Sequence, residues 1–144
     1  MKHHDPAGAD TKSACTDLVL GFAYLVDQRR YDELCNLFVP DGVFERPGLR
    51  AEGHENILAF LNARPVAIET RHVCAPPFFE QIGKDRARAV TYVNMFQGPA
   101  KDDSTPIDIA GIAGVVEFHQ TFTHTGDGWR IAHHESRVAM VTTR

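Results

Sequence analysis

Several kinds of protein are excluded by what this chain has little of. It contains three cysteines, Cys15, Cys35 and Cys74. The number is odd and no pair stands in a Cys-x-x-Cys spacing, which argues against a disulfide framework and against a zinc finger. Each is better suited to filling core space as a small apolar group. No apolar run approaches the length of a helix that crosses a bilayer, so no membrane partner is expected. The opening residues, Met1 to Pro6, lack the apolar stretch of a secretory signal, and the expected location is cytoplasmic. Basic residues are scattered and outnumbered, giving a formal net charge of −4, and nothing resembles the basic footprint of a nucleic-acid binder. Histidines are plentiful at eight, yet His-x-His and His-Glu-x-x-His are both absent, and no metal site is expected.

What is present suits one globular domain. The chain has 144 residues, 43% apolar and 24% charged, enough to bury a core. Residues 1–11 are polar and small and are expected to form a disordered tail ahead of a single domain over 12–144. From Thr11 or Ser13 to about Arg29, the residues Leu18, Phe22, Leu25 and Val26 recur at helical spacing. Thr11 or Ser13 could supply the N-cap. Asp27 lies near the end of this helix, where the helix dipole disfavours a negative charge. Its carboxylate therefore calls for a partner or a function.

A short second helix is expected over 30–38, closed by a turn at Pro40-Asp41-Gly42. A short strand covers 43–46 and is stopped by Pro47-Gly48. A third helix covers 54–63, with Ile57, Leu58 and Leu61 on one face and Pro65 just beyond its end. From Thr70 onward the pattern is β. Thr70, Val73, Phe78, Phe79 and Ile82 suit a half-buried strand over 69–82, and Pro76-Pro77 places it at an edge or a bulge. Further strands are expected over 86–97, 109–124 and 129–141. Helices gathered ahead of an antiparallel sheet give an α+β layered fold. At the start of the first long strand sits His72, an imidazole on a rigid element that can take or give a proton near neutral pH. A histidine satisfied by a neighbouring hydroxyl or carbonyl is the alternative.

Five segments carry a resemblance when taken in order over roughly residues 13–141. They are Tyr31-Asp32-Glu33-Leu34-Cys35-Asn36-Leu37-Phe38-Val39-Pro40-Asp41-Gly42-Val43-Phe44, Gly53-His54-Glu55-Asn56-Ile57, Thr70-Arg71-His72-Val73, Asp85-Arg86-Ala87-Arg88-Ala89 and Gly126-Asp127-Gly128-Trp129-Arg130-Ile131. Together they resemble the SnoaL-like group of the nuclear transport factor 2-like superfamily. The resemblance implies a cone-shaped α+β barrel, with three N-terminal helices packed on a strongly bent, mostly antiparallel sheet. It constrains activity less, because this fold hosts dehydratases, isomerases, cyclases, dehydrochlorinases, epoxide hydrolases and pure binding modules.

Dehydratases and dehydrochlorinases of the superfamily pair an Asp near the end of the first helix with a His at the start of the strand after the third. Those places fall on Asp27 and His72. The implied roles are His72 as general base and Asp27 as the group that orients the ring and stabilises the imidazolium. Such a pair suits proton abstraction beside an electron-withdrawing group, then loss of water or halide, or double-bond migration. It requires no metal or organic cofactor. The implied function is a cofactor-independent lyase or isomerase, dehydratase- or cyclase-like, acting on a cyclic, largely apolar small molecule. One departure is plain: where a dehydratase of this superfamily places a second histidine on the next strand, this chain offers Tyr92 or Asn94.

Other substrate-binding candidates are Tyr24, one turn before Asp27; Phe44, where the family lines its pocket with an aromatic; Asn94, if it faces inward; and His134, since Trp129 and Ile131 share the opposite parity with His133. The alternative function is a non-catalytic ligand-binding or dimerisation module of the same fold. Superfamily members often pair through the open face of the sheet, so a homodimer or higher oligomer is implied.

Overall fold

A computed structural model describes residues 6–143. Three helices precede or interrupt the first strands, and a seven-stranded, mixed but mostly antiparallel sheet follows. The elements are α1 (Pro6–Asp27), α2 (Tyr31–Cys35), β1 (Phe38–Arg46), β2 (Leu49–Glu52), α3 (His54–Asn62), β3 (Ile68–Cys74), β4 (Phe78–Ile82), β5 (Arg86–Pro99), β6 (Gly114–Thr125) and β7 (Gly128–Val141). The sheet runs β2-β1-β7-β6-β5-β3, with β4 also paired to β5. Only β1 and β7 run parallel among these pairs.

α1 starts before the expected cap at Thr11 or Ser13, so the boundary set at residue 11 moves back. Pro6 is tolerated at a first helical position and alanine is the best helix former, which lets the helix begin there. The rest of the expected tail, residues 1–5, lies outside the described residues. Cys15, Leu18, Val19, Phe22, Ala23, Leu25 and Val26 are all buried. They turn one face of α1 onto the sheet, where the helix packs against β3, β4, β5 and β7. Each such fully buried Leu, Val or Phe contributes about 1.5–3 kcal/mol of transfer free energy.

The edge of β5 is shared. β4 covers Ala87 to Val90 and β3 covers Val93 to Pro99, with the N–H of Ala75 donating to the carbonyl of Tyr92 between them at 2.9 Å. Pro76 and Pro77, lacking N–H groups, divide what would otherwise be one strand. β1 begins earlier than expected. Pro40-Asp41-Gly42 forms an irregularity inside the strand, between Phe38 and Val43, and not a turn before it. β2 was not anticipated: the chain reverses at Pro47-Gly48 and pairs back, Arg46 against Leu49. A second irregularity, where Thr121 faces His133 but Phe122 faces Ile131, inserts one extra residue into β7. It brings both Ile131 and His134 to the buried face despite their odd spacing.

Candidate active site

The site begins with the way α1 ends. Arg29, next but one after Asp27, has a left-handed φ of 58°. The N–H of Arg30 donates to the carbonyl of Leu25 at 2.9 Å and that of Arg29 to Val26 at 3.3 Å. This is the reciprocal closure that usually recruits glycine. Here arginine holds the position because its guanidinium is useful elsewhere: it donates to the carbonyls of Pro65 at 2.7 Å and Ile68 at 2.5 Å. The end of α1 is thereby tied to the start of β3, and Asp27 is presented to that strand.

On β3 the register fixes which side chains face inward. His72 pairs with Met95 and Cys74 with Val93, whereas Val73 pairs with Asn94 on the outer face. Asp27, 7% exposed, accepts three hydrogen bonds from the strand. The backbone N–H of His72 reaches Oδ2 at 2.7 Å. The Nδ1 of the same residue lies 2.6 Å from Oδ1, and the Thr70 hydroxyl donates to Oδ1 at 2.8 Å. Burial alone would raise the pKa of this carboxyl, but the His72 side-chain bond, the charge of the imidazole and the bonds from the His72 backbone and Thr70 outweigh it. The group is held below the usual carboxylate range and is ionised at neutral pH. An ionised carboxylate can only accept, so Nδ1 carries a proton, and in the neutral form of the ring Nε2 presents its lone pair. That nitrogen has no hydrogen-bond partner among the described residues, and it is not one of the sealed, unsatisfied polar atoms, which are Thr91 Oγ1 and Gln120 Oε1. A positioned base with a free nitrogen is what proton abstraction needs.

Asp27 and His72 line a groove of about 360 Å³ with Leu20, Ala23, Tyr24, Gln28, Arg71, Val73 and Cys74. A second groove of about 510 Å³ adjoins it, sharing Leu20 and Cys74 and continuing along Lys12, Thr16 and residues 75–79. Both are of the size that takes small ligands. Burial, followed by the Asp27 charge, pushes the Cys74 thiol up to about 11, so at neutral pH it is a thiol and not a nucleophilic thiolate.

Of the residues singled out in the sequence, three therefore meet: Asp27, His72 and Tyr24. Tyr24 is 55% exposed and shares the groove, with the Arg30 guanidinium 5.8 Å from its ring centroid. The other three stand apart from the groove. Asn94 is exposed on the outer face, because inward positions on β5 are Ala87, Ala89, Thr91 and Val93. Phe44 is core, stacked near Phe22 and against Phe60. His134 is fully buried. Its Nδ1 meets the Gln120 amide at 3.0 Å and its Nε2 the Ser136 hydroxyl at 2.8 Å, and its ring stacks on Phe22 with centroids 4.0 Å apart. Burial, then the charges of His133, His72 and His119, drives its pKa well below the ordinary histidine value.

Two contributors escaped the sequence. Thr70 stands two residues before His72, so strand periodicity put it on the same face. Arg64, in the connection after α3, gave no signal. It reaches Thr70 Oγ1 at 3.1 Å, the Tyr31 hydroxyl at 3.0 Å and the Val26 carbonyl at 2.8 Å. Among the described residues no group of three or more His, Cys, Asp or Glu side chains is placed to hold a metal ion, and no helix is long and apolar enough to cross a membrane.

Comparison with known proteins agrees with this architecture. A model of the SnoaL-like domain matches residues 8–135. No curated protein sequence matches the chain. Among solved structures, a hexachlorocyclohexane dehydrochlorinase, LinA-type3 from Novosphingobium barchaimii, superposes with a TM-score of 0.80 at 15% identity, covering 96% of this chain and 93% of that one. A protein from Novosphingobium aromaticivorans assigned as a scytalone dehydratase gives 0.76 at 18% identity, covering 96% and 90%. A protein from Catenulispora acidiphila, crystallised in complex with S-DNPA, gives 0.74 at 19% identity, covering 90% and 94%. At these identities the likeness is one of fold.

Proposed function

The chain belongs to the SnoaL-like domain family, and we propose that it is a lyase or isomerase in which His72 removes a proton from a cyclic, largely apolar small molecule. One observation carries this reading: a buried, ionised Asp27 holds Nδ1 of His72 at 2.6 Å and leaves Nε2 unpartnered beside a groove of ligand size. As the proton arrives at Nε2, the imidazolium forms against the carboxylate, which stabilises it. The carbanion-like intermediate then expels halide, or hydroxide that leaves as water by taking the proton back from Nε2, or it takes that proton back at a neighbouring carbon. One structural neighbour is a dehydrochlorinase and another is assigned as a dehydratase, and both names denote eliminations, which supports that step. No step in this acid–base sequence calls for a cofactor.

The test is a panel of ring ketones, cyclic alcohols and halogenated cycloalkanes incubated in deuterated water. Elimination or deuterium incorporation by the wild type should vanish in His72→Gln, while the melting temperature stays within a few degrees. Equal turnover in the variant, or no binding and no exchange across the panel by the wild type, refutes the proposal.

A second reading, a ligand-binding or dimerisation module, is favoured by one feature. The rings of Phe22, Phe44, Phe118 and His134 pack together on the inner face, so the centre between helix and sheet is filled by side chains. In that case the outer face would pair two copies, with Tyr92 and Met140, 63% and 67% exposed, inside the contact. A monomer by light scattering at tens of micromolar removes the dimeric version.

A further inference from the structure

Arg64 takes part in none of the ion pairs found among the described residues. Its guanidinium instead donates to the Thr70 hydroxyl at 3.1 Å, and that hydroxyl lies 2.8 Å from Asp27 Oδ1. The direction of the chain is forced. A guanidinium has no lone pair to offer and a carboxylate has no proton to give. The single hydroxyl proton of Thr70 must therefore point at Asp27, and its oxygen must accept from Arg64. The other guanidinium nitrogen is fixed by the Val26 carbonyl, one residue before Asp27, and by the Tyr31 hydroxyl. The cation is thus locked to the same helix end as the carboxylate it serves.

We propose that Thr70 and Arg64 are positioning residues of the Asp27–His72 pair, the charge of Arg64 acting on the carboxylate through the Thr70 hydroxyl. The proposal rests on the reading of that pair as the working acid–base unit. It assigns the relay two effects. Thr70 pins Oδ1 opposite Nδ1, so that the proton stays on Nδ1 and Nε2 stays basic. Arg64 polarises the Thr70 hydroxyl, draws negative charge on Oδ1 toward it, and so favours the carboxylate beside neutral imidazole over the carboxylate beside an imidazolium. A buried Asp alone would tend to keep its histidine protonated, and a protonated base abstracts nothing. The other groups around the pair do not supply this cation. Tyr24 and Tyr31 are phenols, Cys74 is a neutral thiol and His134 is held neutral by burial. Arg71 turns to Glu69 and the Thr70 carbonyl. Arg29 is taken up by the carbonyls of Pro65 and Ile68 and by the Tyr31 hydroxyl.

The experiment is the titration of the His72 ring, followed by nitrogen-15 and proton NMR in the free protein. Thr70→Val and Arg64→Gln should each move its midpoint upward by roughly half a pH unit, and Thr70→Ser should restore the wild-type value. Because Arg64 acts through the hydroxyl, the double variant should shift no further than Thr70→Val alone. An unchanged or lowered midpoint in Thr70→Val, or shifts that add in the double variant, overturns the relay. Should Arg64→Gln fail to fold, the Val and Ser pair at position 70 still decides. The titration needs no substrate, so the relay and the proposed chemistry fail separately: loss of turnover on changing His72 bears on the chemistry, and this measurement bears on the relay.

Discussion

Replacing Asp27 by Asn keeps the shape of the side chain and changes what it can say to its neighbours. In the wild type both oxygens accept, from the His72 backbone N–H, from Nδ1 and from Thr70. An amide has one accepting oxygen and one NH₂ group that only donates. The backbone N–H cannot reverse, so the amide oxygen must take the Oδ2 place and the NH₂ group the Oδ1 place. There it meets two former donors. Thr70 can rotate its hydroxyl away. His72 can satisfy the NH₂ only by giving up its Nδ1 proton, which moves the proton to Nε2. On the proposed mechanism the ring is then in the wrong tautomer and the base is lost, which should lower turnover by about 10³–10⁴-fold.

Stability should fall less, by about 1–3 kcal/mol at pH 7, because the lost charge-assisted bonds are partly offset by no longer burying a charge. The pH dependence has a definite sign. The folded pKa of Asp27 lies below the ordinary 3.8 of an aspartate, so its stabilisation is present above about pH 4 and is lost as pH falls through the folded value. The gap in unfolding free energy between wild type and Asp27→Asn should accordingly close as acid is added below pH 4. Nitrogen-15 shifts of His72 report the tautomer directly, and urea denaturation at several pH values reports the gap. An Asp27→Asn protein that keeps the proton on Nδ1, or whose stability gap widens in acid, refutes the reasoning.

Two other perturbations probe the interior. His134 is buried and neutral, its folded pKa far below that of an unfolded histidine, so the unfolded chain takes up a proton first. Stability should fall as pH drops below about 6.5, by up to about 1.4 kcal/mol per pH unit, and His134→Gln should flatten that slope in urea unfolding; an unaltered slope means another group is responsible. Phe22 is 3% exposed and lies against Phe38, Phe44, Phe118 and His134. Phe22→Ala should cost about 3–5 kcal/mol and open a dry cavity, so the variant should regain melting temperature on adding benzene or cyclohexane where the wild type does not; equal responses in the two proteins would mean the core collapses onto the gap.

The order of helices and strands was legible because burial imposes a period, and α1, α3, β5 and β6 show theirs plainly in the sequence. Asp27 drew notice on physical grounds, as a carboxylate at the wrong end of a helix dipole, and His72 as an imidazole opening a strand. Their pairing came from the family resemblance, since nothing local spans the distance between residues 27 and 72. Thr70 was within reach of the same period-two argument that places His72 inward. Arg64 was not, because a long side chain on a connecting segment can aim almost anywhere.

The assignment of His134 shows where periodicity stops being a guide to function. Parity set it apart from both Trp129 and Ile131, but the extra residue in β7, between Ile131 and His133, reset that parity and put both on the same side of the sheet as His134. Facing inward also proved to be different from facing a ligand. Both ring nitrogens are engaged and the ring is packed among Phe22, Phe44 and Phe118, whereas His72, on an edge strand against a helix end, keeps one nitrogen free. A histidine used up by the fold and one still open to a ligand thus differ in the bonds each has left unmade. Those depend on which side chains arrive from distant segments, Gln120 and Ser136 in one case and Asp27 in the other. A pattern of residue types along one strand carries no record of them.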